Sequence, residues 1–91
     1  MSPAKPSKKY NLIALPHFKR DLKKLDTQTQ RRIRAKLREL EDSREIGKPL
    51  HGGLEGVHSL RIGEYRVLYQ LEEKKLEVYL VSVAHRKHVY E

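Results

Sequence analysis

An α+β domain, with a helical hairpin packed on one side of a mainly antiparallel sheet, is the fold class this sequence predicts. Three observations lead there. Phe18, Leu22 and Leu25, and then Ile33, Leu37 and Leu40, recur at i, i+4, i+7, the spacing of a narrow buried stripe on a helix. From Val57 the pattern becomes an alternation, with Tyr65, Val67, Tyr69 and Leu71 interleaved with Arg66, Leu68 and Gln70, as in a strand with one buried face. Between these stretches Ser43 to Gly56 carries Gly47, Pro49, Gly52, Gly53 and Gly56, the composition of a loop. The expected order is strand, helix, helix, three strands, in a four-stranded sheet.

Taken along the chain, residues 1–9 hold two prolines, three lysines and two serines and nothing to bury, so a flexible basic tail is expected before one domain spanning 10–91. Tyr10 to Leu15 is a short apolar run, read as the first strand. Pro16 suits the first turn of a helix, where its missing N–H costs nothing. Asp26 or Thr27 can cap the second helix. Glu72-Glu73-Lys74-Lys75 is a charged turn, and Leu76 to Val83 is apolar on both faces, as a central strand should be.

Gly63-Glu64 reads as a two-residue hairpin loop, and a glycine in first place suits a type II′ turn. The register that follows pairs 62 with 65 and 61 with 66. Leu60, Ile62, Tyr65, Val67, Tyr69 and Leu71 then share the face packed on the helices, with His58 beside Tyr69. The other face presents Ser59, Arg61, Arg66, Leu68 and Gln70, continued by Glu77, Tyr79, Val81 and Val83. Arg61 stands directly across from Arg66. Like charges facing each other across strands are unfavourable, so the pair points to a bound anion, and guanidinium groups grip phosphate oxygens in a two-pronged way.

Composition narrows the classes of partner. The 91 residues include 20 Lys+Arg against 12 Asp+Glu, a formal charge of +8, which fits a polyanionic partner such as RNA, DNA, an acidic membrane or an acidic protein. Nine of these cations crowd the polar faces of the two helices: Lys19, Arg20, Lys23, Lys24, Arg31, Arg32, Arg34, Lys36 and Arg38. Like charges at i, i+4 cost stability unless something screens them, and a large polyanion would. There is no cysteine, so neither disulfides nor a thiolate metal site exist, and a reducing compartment is expected. No apolar stretch reaches the roughly 18 residues of a membrane span, and the first residues lack a secretory apolar segment. A cytoplasmic protein without a membrane partner is the expectation. Ser59 and Ser82 have no convincing His–Asp partners, Gly52-Gly53 lacks a Walker lysine, and His85 with His88 has no nearby carboxylate or thiolate to complete a metal site. No cofactor is expected.

Tyr10-Asn-Leu-Ile-Ala, Phe18-Lys-Arg-Asp-Leu-Lys-Lys-Leu25, Lys48-Pro-Leu-His-Gly-Gly-Leu, the hairpin Leu60-Arg-Ile-Gly-Glu-Tyr-Arg-Val-Leu-Tyr69 and the closing His85-Arg86…Tyr90 together resemble the RelE/ParE superfamily of toxin–antitoxin toxins, over residues 10–91 in the same element order. The resemblance implies a toxin neutralised by a RelB-like antitoxin, a single toxin unit within that complex. Its RelE branch implies a ribosome-dependent mRNA endoribonuclease that works without metal and blocks translation. The alternatives are a ParE-like inhibitor of DNA gyrase without nuclease activity, or a non-toxic homologue that only binds its antitoxin. On the RelE reading Arg66 stabilises the phosphate in transition, Arg86 balances charge or acts as acid, and Tyr90 orients or stacks on the nucleotide. Arg61 adds charge, and the candidates for proton transfer are His85, His88 and Tyr90, a histidine being the natural choice. The chain departs from the branch where two lysines are expected before the hairpin turn: Val57 and Ser59 stand there.

Overall fold

The computed structural model describes residues 10–42, 47–50 and 56–89. The elements are β1 (Asn11–Ala14), α1 (Pro16–Lys23), α2 (Thr27–Leu37), α3 (Glu39–Asp42), β2 (Lys48–Pro49), β3 (Val57–Ile62), β4 (Tyr65–Glu72), a 3₁₀ turn (Glu73–Lys75), β5 (Glu77–His85) and α4 (Arg86–Val89). The strands form one sheet in the order β1-β5-β4-β3-β2. β1 lies parallel to β5, and the other pairs are antiparallel. The basic tail at 1–9, most of the expected loop and Tyr90 fall outside the described residues. Among the described residues no helix is long and apolar enough to cross a membrane.

The helices begin where the sequence signals place them. Pro16 occupies the first turn of α1, and Asp26 caps α2 by accepting from the Thr29 backbone N–H at 3.4 Å and from the Thr29 hydroxyl at 2.5 Å. The two hydroxyl and amide bonds hold the Asp26 carboxyl below its ordinary range. Phe18 and Leu22 of α1, Ile33 and Leu37 of α2, and Leu40 of α3 are buried against Leu60, Ile62, Val67, Tyr69, Val78, Leu80 and Val83 of the sheet. That single apolar layer is what fixes the sheet's orientation, leaving its other face free for chemistry.

The hairpin register is the one its turn chemistry predicts: Ile62 pairs with Tyr65 and Arg61 with Arg66. Gly63 has φ +61° while Glu64 has no positive φ, the pattern of a type II′ turn. His58 pairs with Tyr69 and stacks on it, with ring centroids 5.4 Å apart.

Three expectations need correction. The sheet has five strands rather than four, because Lys48–Pro49 inside the expected loop pairs with Ser59 and His58. A proline is tolerated there because an edge strand has no outer partner needing its N–H. Gly47 makes the approach possible: a Cβ at that position would lie 2.3 Å from Tyr69 Oη and 2.9 Å from the Ser59 carbonyl. Val83, expected on the open face, is buried opposite Val67. Leu68 pairs with Ser82 and Tyr69 with Leu80, so Val81 is an extra residue, a β-bulge that reverses the alternation beyond it. Ser82 and Ala84 take the open-face positions instead. Ser59, expected to be exposed on that face, is only 5% exposed, because β2 lies alongside it and an arginine covers it.

Candidate functional site

The strand pairings arrange the open face in rows. Lys48, Ser59, Leu68 and Ser82 form one row, and Arg61, Arg66 and Ala84 form the next, two residues or about 7 Å further along the strands. Arg66 is half-buried. Its Nη1 donates to the Ser59 hydroxyl at 3.0 Å, and its Nε is shut off from solvent. The guanidinium therefore leans diagonally from its own row into that of Ser59, and its direction is set by a bond rather than by chance. Arg61, at the stretch of β3 that β2 does not cover, is exposed and curls toward the turn, its Nε donating to the Gly63 carbonyl at 3.4 Å.

Farther along the same face the charge reverses. Glu72 pairs with Glu77, and Gln70 with Tyr79. The Tyr79 hydroxyl donates to the Glu77 carboxylate, which, with burial and the charges of Glu77 and Glu72, pushes its phenol above the ordinary value. The open face is thus cationic at the hairpin end and acidic at the other.

His85 is not brought to the arginines. Its cross-strand partner is Tyr65, on the helix side of the sheet, and the two rings meet edge to face at 5.4 Å. His85 Nδ1 accepts from the Lys87 backbone N–H at 3.2 Å, so the proton sits on Nε2, which faces Glu64 Oε1 at 3.0 Å. The Arg86 backbone N–H also donates to the Glu64 carbonyl at 2.8 Å. Glu64 therefore anchors the start of α4 twice, and His85 fixes where Arg86 begins. Arg86 itself is exposed. Tyr90 lies outside the described residues, as does the side chain of His88.

The nine helical cations separate into groups. Lys19, Lys23, Arg34 and Arg38 rim a cavity of about 460 Å³ floored by Leu12, Ala14, Phe18, Leu22, Leu37 and Leu80. Arg32 and Lys36 line a second depression of about 430 Å³ with Arg61 and Gly63. Lys36 pairs there with Glu39 at 3.3 Å, while the Arg32 guanidinium lies against the Gly63 turn. Arg20, Lys24 and Arg31 are exposed. Sequence reasoning passed over Lys48 in the open-face row, since Gly47 and Pro49 on either side read as loop. A proline is also compatible with an edge strand, and that is the signal the sequence offers.

Residues 12–90 match the family described as the ParE toxin of type II toxin–antitoxin system, parDE. The chain belongs to the ParE toxin family. Within the wider RelE/ParE superfamily, Toxin RelE of Mycobacterium tuberculosis is 39% identical over 51 residues, 56% of this chain and 53% of that protein. The chain thus spans about half the length of that curated relative. Over the whole fold, a chain of the RelBE2 toxin–antitoxin complex from M. tuberculosis superposes with a TM-score of 0.80 at 30% identity, covering 86% of this chain and 99% of the other. The isolated RelE toxin of Escherichia coli gives a TM-score of 0.75 at 26% identity, covering 89% and 90%. In this ParE-family chain the helical hairpin on a mainly antiparallel sheet is therefore the RelE-like fold.

Proposed function

We propose that this chain is the toxin of a type II toxin–antitoxin pair and a metal-independent endoribonuclease that cuts mRNA on the ribosome in the cytoplasm. The observation that carries the reading is Arg66, half-buried on the open face and held by Ser59 beside Arg61. In the reaction the 2′-hydroxyl attacks the adjacent phosphorus, negative charge builds on the phosphoryl oxygens, and the 5′-oxygen departs. Cations fixed in place before the reaction and aimed at that charge are the largest single contribution in many active sites. Arg66 serves the phosphoryl oxygens, Arg61 adds charge from the turn, and Arg86 approaches from the start of α4, where His85 and Glu64 position it. Tyr90 stacks on the nucleotide base. His85, with both ring nitrogens engaged, is a positioning residue rather than a proton carrier. Alignment of the mRNA by the ribosome supplies the rest, since positioning alone is worth roughly 7–11 kcal/mol in the best cases.

The similarity to M. tuberculosis Toxin RelE and to the E. coli RelE structure supports this branch. The gyrase-inhibitor reading is favoured by the ParE family match and by Val57 and Ser59 standing where RNA-cutting relatives are expected to carry lysines. Primer extension on mRNA from cells expressing the chain separates the two. Codon-phased cuts confined to translated regions support the endoribonuclease, whereas gyrase-dependent DNA breaks with intact mRNA replace it with the inhibitor.

For the antitoxin, the cavity between α1, α2 and β1 has an apolar floor and a rim of Lys19, Lys23, Arg34 and Arg38, which suits an amphipathic segment with acidic flanks. Lys23→Glu with Arg34→Glu should release the antitoxin in a pull-down of the co-expressed pair. Unaltered capture would remove this groove from the interface.

A further inference from the structure

Cleavage by the route above leaves both proton transfers without a residue. As the P–O5′ bond breaks, the departing 5′-oxygen must take up a proton, and a guanidinium gives one up poorly. His85 faces the other side of the sheet. Lys48 does not. It stands directly opposite Ser59, the residue whose hydroxyl receives the Arg66 guanidinium. Ser59 thus has Lys48 as its cross-strand neighbour from one strand and the Arg66 guanidinium on its hydroxyl from the other.

The backbone around Lys48 is built to hold it there. The Tyr69 hydroxyl takes a backbone hydrogen bond at Gly47, in a contact too close for any Cβ. On the other side the Leu50 N–H donates to the Val57 carbonyl at 2.9 Å. Between these two anchors Lys48 has one register, and strand alternation puts its side chain on the face of Arg66. Directly opposite residues on adjacent strands have Cβ atoms about 4.5–5.5 Å apart, so the long Lys48 side chain can reach a phosphate held over Ser59 by Arg66, while Arg61 is turned toward Gly63.

We propose that Lys48 is the general acid of the reaction, a catalytic residue delivered by the edge strand rather than by β3. The assignment rests on the endoribonuclease reading. The 2′-oxygen forms its bond to phosphorus and loses its proton to water. The P–O5′ bond breaks, and the pair of electrons left on O5′ takes a proton from Lys48 Nζ. The products are a 2′,3′-cyclic phosphate and a 5′-hydroxyl. The amine then regains its proton from solvent.

The test uses mRNA-programmed ribosomes and two messages, one ordinary and one with a single sulfur in place of the scissile 5′-oxygen. A thiolate leaves without being protonated. Lys48→Ala should slow cleavage of the ordinary message about 10²–10⁴-fold and cut the sulfur-containing message within a few-fold of wild type. Lys48→Arg, which keeps the charge, should behave in the same way, and the melting temperatures of both variants should match wild type. A defect that persists on the sulfur message, or full rescue of the ordinary message by Lys48→Arg, overturns the acid role. Wild-type protein that leaves both ribosome-bound messages intact overturns the endoribonuclease reading itself, a result distinct from either.

Discussion

Two regions of this molecule carry positive charge, and they are built differently. On α1, α2 and their C-terminal caps stand nine cations, eight exposed and Lys36 half-buried, with local partners such as Gln30 for Arg34 at 3.4 Å and Glu39 for Lys36 at 3.3 Å. On the open face of the sheet there are fewer, but each is tied to a ladder position: Arg66 to Ser59, Arg61 to Gly63, Lys48 to the β2–β3 pairing. Long side chains on helices contribute a field that depends on ionic strength and little on any one group. Side chains held by strand pairing contribute direction, which is what a transition state rewards. The difference implies that sheet substitutions change the chemical step and helix substitutions change encounter.

The sharpest way to break this distinction is Arg66→Ala, expected to lower single-turnover cleavage on the ribosome about 10²–10³-fold, the scale for removing one oriented donor from developing charge. Arg66→Lys should recover little, because the ammonium cannot reproduce the planar fork. Recovery by lysine would show that the sheet site works by charge alone. Gly47→Ala comes next. Its Cβ would collide with Tyr69 Oη and the Ser59 carbonyl, so β2 must shift, at a cost of about 1–3 kcal/mol in denaturant unfolding. A displacement near 1 Å should lower cleavage about 10²-fold although no functional side chain is altered. Activity that stays at the wild-type level alongside the lost stability would detach β2 from the chemistry.

The helical region is tested by removing Arg20, Lys24 and Arg31 together. Ribosome affinity should fall about tenfold at moderate salt, and the slope of log affinity against log salt should shrink by roughly 0.7–0.9 per cation lost, with the cleavage rate at saturation unchanged. A reduced rate at saturation would place helical cations in the site and end the contrast.

How far each region can be read from sequence follows from the same difference. The buried stripes Phe18/Leu22 and Ile33/Leu37, the Asp26 cap and the Gly63-Glu64 turn are local, set by spacing and by the φ that glycine permits, whereas Leu25 falls beyond the end of α1 and Leu40 is buried on α3 rather than α2. The Arg61–Arg66 pairing was legible for the same reason, since two-residue loops fix register. The misplaced residues depend on contacts distant in sequence. Val83 is buried because a bulge at Val81 shifts β5 against β4, and no composition rule marks that residue. Ser59 is covered and Lys48 recruited because Gly47 can touch Tyr69, 22 positions away. His85 falls on the helix side because the same bulge changes its parity. Local rules located the arginines, while packing decided what surrounds them.

Tyr69 joins the two faces and gives the smallest expected effect. It is fully buried, stacks on His58 and meets Gly47 at the root of β2. Burial holds its phenol above the ordinary value of 10.0, against the backbone hydrogen bond from Gly47, which acts in the opposite direction. A raised pKa means that the folded state keeps the proton longer than the unfolded chain. The stabilisation is fully present below about pH 10 and is lost as pH rises through the folded value, because the unfolded phenol ionises first. Tyr69→Phe should therefore flatten the fall in unfolding free energy above pH 10. At neutral pH it should cost only about 1 kcal/mol, the scale of one hydrogen bond. Because the ring and its stacking remain, β3 and β4 should keep their register, while β2, deprived of its bond at Gly47, exchanges its amide protons faster. An alkaline slope equal to that of the wild type would show that the phenol does not hold the edge strand, and Lys48 would then owe its place to the Leu50–Val57 bond alone.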